Sequence, residues 1–269
     1  MFRRHILRLS LLSTLVAVGC EKPPAGETEP PESGNAAASD DAGASDDADG
    51  QAEASLPAAA EILAKSIEAV GGKAAIDAIE SSYMEAKTEI KAQNMSIATR
   101  IWSKGDNFYL ESDMEGMGTS KVWKKGDEVW SEDPINGKRK LEGKEADQAR
   151  WSADPMLAAN WKDYFDEAKT IGRRTIGDQE VVEVELSKGD TKLVLLFDSE
   201  TFLPAGQSFM QETPMGAMPI EVTYEDYREV AGVMTAFRSV TDMQLMSAVQ
   251  TTEKYEVNVE IDDTKFEPN

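Results

Sequence analysis

The sequence predicts an α+β fold in which a curved antiparallel sheet forms an incomplete β-barrel covered by helices. Three observations carry that expectation. Short stretches of two-residue alternation recur from about residue 83 to residue 261, turn signals containing glycine separate them, and helical periodicity is confined to residues 57–80 and 144–168. A sheet of that many strands is too long to stay flat and should curl, with the helices on one of its faces.

In chain order, PAAAEILAKSIEAV at residues 57–70 sets Ile62, Leu63, Ile67 and Val70 on one helical stripe, with Pro57 near its start and Gly71-Gly72 as its stop. KAAIDAIE at residues 73–80 is a short second helix. Beyond Ser82 the period becomes two. Met95, Ile97, Thr99 and Ile101 alternate against Ser96, Ala98, Arg100 and Trp102, while Phe108, Leu110 and Met114 share one side of the next strand. Turns are marked by Lys104-Gly105-Asp106-Asn107, Lys125-Gly126-Asp127 and Ile135-Asn136-Gly137-Lys138, and TSKVWKKGDEVWSED reads as a hairpin with Trp123 and Trp130 near its tip. Residues 144–168 are helical in composition, with Asp154-Pro155 as cap and first position. Strands resume after Thr170: Val182, Val184 and Leu186 face opposite to Glu183 and Glu185, a Lys188-Gly189-Asp190 turn follows, and LVLLF is apolar on both faces. PAGQSFMQET, MPIEVTYEDYRE, VMTAFRSVTDMQL and TTEKYEVNVEI complete the set, the last alternating Tyr255, Val257, Val259 and Ile261 with polar residues.

The chain preceding this body has a different character. Arg3, Arg4 and Arg8 precede an apolar run from Leu9 to Val18 that is shorter than the roughly 20 residues needed to span a bilayer, so residues 1–19 are expected to be an export signal. Ala17-Val18-Gly19 before Cys20 resembles a bacterial lipobox, which implies acylation of Cys20. Residues 20–55 are rich in Pro, Gly, Ala, Ser and acid, and should form a disordered tether of roughly 30–35 Å end to end. Residues 56–269 are long enough for one domain with a substantial core.

The residue inventory excludes much chemistry. Net charge is −22, which repels nucleic acid and anionic headgroups. The one histidine, His5, lies within the expected signal, and the one cysteine is Cys20, so a body cut at Cys20 has no imidazole base, no free thiol and none of the commonest zinc ligands. Acid pairs at Glu132-Asp133, Glu225-Asp226 and Asp262-Asp263 could in principle serve a glycosidase-like site or Ca²⁺. In a chain this acidic they read better as surface decoration, and no metal site, cofactor or enzyme activity is expected. Methionine clusters at Met114 and Met117, at Met210, Met215 and Met218, and at Met234, Met243 and Met246. Such thioethers either fill gaps in a large core or line a surface that accepts varied apolar guests.

EILAKSIEAVGGKAAIDAIESS, RIWSKGDNFYLES, KVWKKGDEVWSEDPINGKRKL, YEDYREVAGVMTAF and YEVNVEIDDTKF resemble the outer-membrane lipoprotein-sorting proteins with a LolA/LolB-like fold. That resemblance implies an incomplete barrel of about eleven strands over helices, with a hydrophobic cavity for acyl chains of lipoproteins or lipids. In the soluble carrier of that superfamily an arginine that latches the lid stands at the place of Gly105; Lys104 is adjacent but is no match, so no latch residue carries over. The implied role is a non-enzymatic binding protein fastened to a membrane of the bacterial envelope, the outer one being favoured, and facing the periplasm. Its expected lining is Trp102, Phe108, Leu110, Met114, Trp123, Trp130, Met156, Leu157 and Trp161. The second reading is a module of the same fold that binds or senses an envelope protein.

Overall fold

The computed structural model describes residues 56–154, 156–213, 216–243 and 246–268. Cys20, the expected signal and the expected tether lie outside the described residues, as does Met215. Helices α1 (Ala59–Ala69) and α2 (Gly72–Asp77) lead into β1 (Ser81–Ile90), β2 (Met95–Lys104), β3 (Asn107–Met114), β4 (Gly118–Lys125), β5 (Glu128–Asp133) and β6 (Gly137–Lys140). Next come α3 (Gly143–Ser152), α4 (Leu157–Asn160) and a 3-10 turn at Trp161–Asp163. The second run of strands is β7 (Glu167–Ile176), β8 (Gln179–Lys188), β9 (Thr191–Asp198), β10 (Pro204–Thr213), β11 (Gly216–Val230), β12 (Val233–Asp242) and β13 (Ser247–Val257), followed by a 3-10 turn at Asp263–Phe266.

The strands form one antiparallel 13-stranded sheet in the order β6-β5-β4-β3-β2-β1-β13-β12-β11-β10-β9-β8-β7. Every neighbouring pair is a hairpin except β1 with β13. The two free edges, β6 and β7, are consecutive in sequence, so residues 141–166 must cross from one edge of the sheet to the other. α3 lies against both β5 and β10, which stand second and tenth in the order. In a flat sheet eight strand spacings would separate those strands by about 38 Å, whereas a helix of 10 residues is about 15 Å long. The sheet therefore curls around the crossover without closing, and its inner face is the one that α3 covers.

Three boundaries differ from the sequence reading, each for a local reason. The helical stretch expected over residues 144–168 is broken into α3, α4 and a 3-10 turn. Proline at 155 disfavours the α conformation of Asp154, and Asp154 instead caps the next turn, accepting from Met156 N at 2.7 Å, Asn160 Nδ2 at 3.1 Å and the Tyr164 hydroxyl at 2.9 Å. Strand β7 accordingly starts at Glu167, earlier than expected. The last strand stops at Val257 because Asn258 is left-handed (φ 56) and its side chain accepts from Glu80 N at 2.7 Å and donates to the Ala78 carbonyl at 3.1 Å. Val259 and Ile261 therefore belong to a separate C-terminal segment.

The helical pair α1–α2 is seated at the β11–β12 end of the sheet, where Val70, Ile76 and Ile79 pack on Met156 and Val233. The fit is backbone against backbone at Gly71: a Cβ there would sit 2.1 Å from the Gly232 carbonyl oxygen, and its φ is +121°. Gly126, in the β4–β5 turn, also has positive φ but faces open space. Gly126→Ala should thus cost about 1 kcal/mol, the penalty of a left-handed backbone alone. Gly71→Ala should cost at least about 2 kcal/mol, since α1–α2 must also shift. Urea unfolding of the two variants checks the ordering; equal losses would contradict this packing.

Candidate functional site

Along the inner face, Met84 and Ala86 on β1, Ile97 and Ile101 on β2, Phe108 and Leu110 on β3 and Val122 on β4 follow from strict alternation. The registers Met84–Ile101, Ile101–Leu110 and Leu110–Val122 stack them in rows. The roof over this part is the crossover. Ala153, just past the end of α3, packs on the cluster of Met84, Ala86, Ile101, Phe108 and Leu110, and Ala146 and Ala149 of α3 pack on Val129 and Leu141. On the far side the inner face continues through Val182, Val184 and Leu186 of β8 and Leu193, Leu195 and Phe197 of β9, all buried. The inner face is thus largely apolar from β5 to β8, with Thr88, Thr99, Ser112 and Gln207 buried among its apolar side chains.

The outer face of the first five strands carries a different device. Tyr83, Trp102, Tyr109, Trp123 and Trp130 sit in register, one per strand from β1 to β5. Ring centroids are 5.1 Å apart for Tyr83–Trp102, 5.4 Å for Trp102–Tyr109 and 5.3 Å for Tyr109–Trp123. The C-terminal segment covers the ladder: Ile261 and Phe266 pack on Tyr109 and Trp123, and Lys265 Nζ stands 3.9 Å from the Trp102 ring centroid. Lys104 ties this strap down through the Ile261 carbonyl at 3.0 Å and Asp263 at 2.7 Å, and Lys125 does so through Glu267 at 2.7 Å. The phenols of the ladder donate to Glu85 and Glu111, each at 2.7 Å. Burial first and the carboxylate second push the Tyr83 pKa up to about 12 and that of Tyr109 higher still, so both remain donors at any physiological pH.

The nine expected lining residues therefore divide between surfaces. Phe108 and Leu110 are buried on the inner face; Met114, paired with Ile97, is half-buried there. Met156 and Leu157 are buried in the crossover, Met156 against Val70, Ile76, Ile79 and Val233. Trp161 is half-buried in the 3-10 turn, with Lys162 Nζ 5.4 Å from its ring. Trp102, Trp123 and Trp130 lie on the outer face under the strap and do not share a surface with the other six. Their alternation with Ile101 and Val122 dictates this. Sequence reasoning missed Trp151 of α3, which contacts Phe209 edge-on at 5.3 Å and Phe165 at 6.2 Å, and the inward glutamines Gln207 and Gln211. The alternation of Gln207, Phe209 and Gln211 against Ser208 and Met210 held that signal; Met210 instead points outward and is 50% exposed.

Met210, Val194 and Pro219 floor a groove of about 450 Å³ on the outer face, rimmed by Glu185, Glu221, Asp242 and Lys192. Arg174 closes one side of that region, paired with Glu183 and Glu221 at 2.8 Å each. Among the described residues no group of three or more His, Cys, Asp or Glu side chains is placed to hold a metal ion, and no helix is long and apolar enough to cross a membrane.

No protein-family model and no curated protein sequence matches the chain. Solved structures do. A DUF1329 family protein from Desulfovibrio piger superposes with a TM-score of 0.54 at 12% identity over 78% of this chain and 96% of that one. A LolA superfamily protein from Nitrosomonas europaea gives 0.51 at 16% identity over 79% and 98%. A domain named for outer membrane lipoprotein sorting, from Vibrio parahaemolyticus, gives 0.50 at 15% identity over 77% and 97%. The chain has the LolA-like fold, here with thirteen strands in one unclosed sheet.

The strap should be released by acid. Asp262 accepts from Thr264 N at 2.9 Å and from its hydroxyl at 2.8 Å, and these bonds, the backbone one first, hold its carboxyl below the usual range. A depressed folded-state pKa stabilises the turn above the ordinary carboxylate pKa, and that stabilisation is lost as pH falls through the depressed value. Tryptophan fluorescence should report progressive uncovering of the ladder below about pH 4. Asp262→Ala should weaken this acid response while Phe266 and the ring contacts keep the ladder covered at neutral pH. Phe266→Ala, at a fully buried ring, should cost about 3–4 kcal/mol.

Proposed function

From the LolA-like fold of residues 56–268 we infer a non-enzymatic binding protein of the bacterial envelope that holds the acyl chains of lipoproteins or lipids between its inner face and the helical crossover. The observation that carries this reading is the roof itself. The apolar rows of Met84, Ile101, Phe108, Leu110 and Val122 are covered by the crossover through Ala153 and α3, a helix of 10 residues, and the helix that follows, α4, has 4. Helices this short are not stable apart from the sheet, so they are seated or displaced as a unit, and displacing them is what would open the inner face. A chain of sixteen carbons exposes apolar surface worth on the order of 12 kcal/mol to water, and displacing the roof offers it a replacement surface of matching chemistry.

Of the expected lining, Phe108, Leu110, Met114, Met156 and Leu157 serve this reading directly, and Trp161 marks the end of the crossover. Trp102, Trp123 and Trp130 then act as the outer buttress of the same strands. Acylation of Cys20 would fasten the protein to a membrane facing the periplasm, the outer membrane fitting a sorting role, and residues 20–55 would let the body reach a cargo without leaving it. Such a protein is an acceptor or local chaperone rather than a shuttle. The outer groove around Met210 supports a second reading, in which an envelope protein docks there.

Residues 21–269, purified and delipidated, should take up a fluorescent fatty acid with micromolar or better affinity, and native purification should bring acyl lipid with it. Neither uptake nor lipid, together with stoichiometric crosslinking to one protein, would replace the first reading by the second. Cys20→Ser should move the protein to the soluble fraction and leave uptake unchanged.

A further inference from the structure

The buried side-chain polar atoms that lack any hydrogen-bond partner among the described residues are Thr88 Oγ1, Ser131 Oγ and Trp151 Nε1. All three lie on the inner side of the sheet. Thr88 pairs with Ile97 and Ser131 with Val122, which places both on the inner face, and Trp151 projects from α3 onto Phe209. The most telling is Trp151, only 4% exposed. An indole N–H can donate and nothing else, so it requires an acceptor, and a buried donor without one forfeits its whole hydration. One turn before it, Gln148 exchanges amide hydrogen bonds with Gln211 of β10 at 3.2 and 3.4 Å. Those amides set a polar station on the same helix as the indole.

We propose that the inner face binds acyl groups by their carbonyl end as well as by their chain, with Trp151 Nε1 donating to the carbonyl oxygen of an ester or carboxyl while the hydrocarbon lies on the Phe108–Leu110 rows. This rests on the acyl-binding reading above and sharpens it: the ligand is an acyl ester or acid, and a bare hydrocarbon of equal length binds less well. The Thr88 and Ser131 hydroxyls, on β1 and β5, are further unmet groups for ordered water or for a second oxygen of the same ligand. The carbonyl belongs either to a free fatty acid or to the glyceryl esters of a lipoprotein, and the two share this chemistry.

The test uses residues 21–269 and displacement of a bound fluorescent fatty acid by hexadecane, hexadecanoic acid, methyl hexadecanoate and a synthetic diacylated lipopeptide. Wild type should bind the carbonyl-bearing ligands about tenfold more tightly than hexadecane, the difference one hydrogen bond makes. Trp151→Phe, which keeps an aromatic ring, though a smaller one, and removes the N–H, should erase that preference while hexadecane still binds. In ¹⁵N spectra, which contain five indole signals at most, the signal missing from Trp151→Phe should shift downfield with the acid, ester or lipopeptide and not with hexadecane. Whether the acid or the lipopeptide binds more tightly identifies the source. Should the variant fail to fold, the wild-type spectrum decides alone, the Trp151 signal being assigned through its contacts with Phe165 and Phe209. Equal shifts with all ligands, no shift with any bound ligand, or a variant that retains the preference would overturn the proposal while leaving acyl binding intact. Binding of none of the four overturns both.

Discussion

Pairing of β1 with β13, from Ser82–Val257 to Glu89–Val249, joins a six-strand meander to a seven-strand one. Among the described residues it is the one ladder between strands that are not neighbours in sequence, and the rest of the architecture follows from it. With β1 and β13 in the middle, β6 and β7 become the outer edges, and the short connection between them is forced across the inner face. Without the pairing, residues 141–166 would be an ordinary linker between two sheets. The pairing also brings Asn258 back to Ala78 and Glu80, where its side chain ends the last strand and aims the chain across the outer face. Roof and strap, the two layers that cover the sheet, are thus both consequences of one long-range ladder. Such a contact is slow to form and is expected to come late in folding.

The two faces are closed in opposite ways. On the outer face, a buried Phe266 and ion pairs from Lys104 and Lys125 hold the strap on an aromatic row that is itself continuous over five strands. Those ion pairs are exposed and contribute little individually; the ring contacts and the buried phenylalanine dominate. On the inner face the cover is a broken set of short helices whose small residues, Ala146, Ala149 and Ala153, touch the sheet. The outer cover is one continuous strap and the inner cover a broken set of helices, and in the acyl-binding reading proposed above a guest enters on the broken side.

Much of this was legible in the alternation. The parity of Ile97, Thr99 and Ile101 against Trp102, and of Phe108 and Leu110 against Tyr109, already separated the faces. What local pattern could not supply was the identity of each cover, because Phe266 and Trp151 reach their partners from more than forty residues away in sequence or from another element. Aromatic size made Trp102, Trp123 and Trp130 look like lining, while parity set them on the other side. Asp154-Pro155 was recognised as a helix start but not as the break that keeps the crossover short.

Photo-crosslinking tests most directly whether acyl chains lie on the inner face beneath the crossover. A fatty acid carrying a diazirine in mid-chain, irradiated with the protein and followed by mass spectrometry of the adducts, should mark Met84, Ile101, Phe108, Leu110 or residues of α3. Adducts confined to the outer groove around Met210, to the Trp102–Trp123 ladder, or absent at saturating ligand would contradict the account.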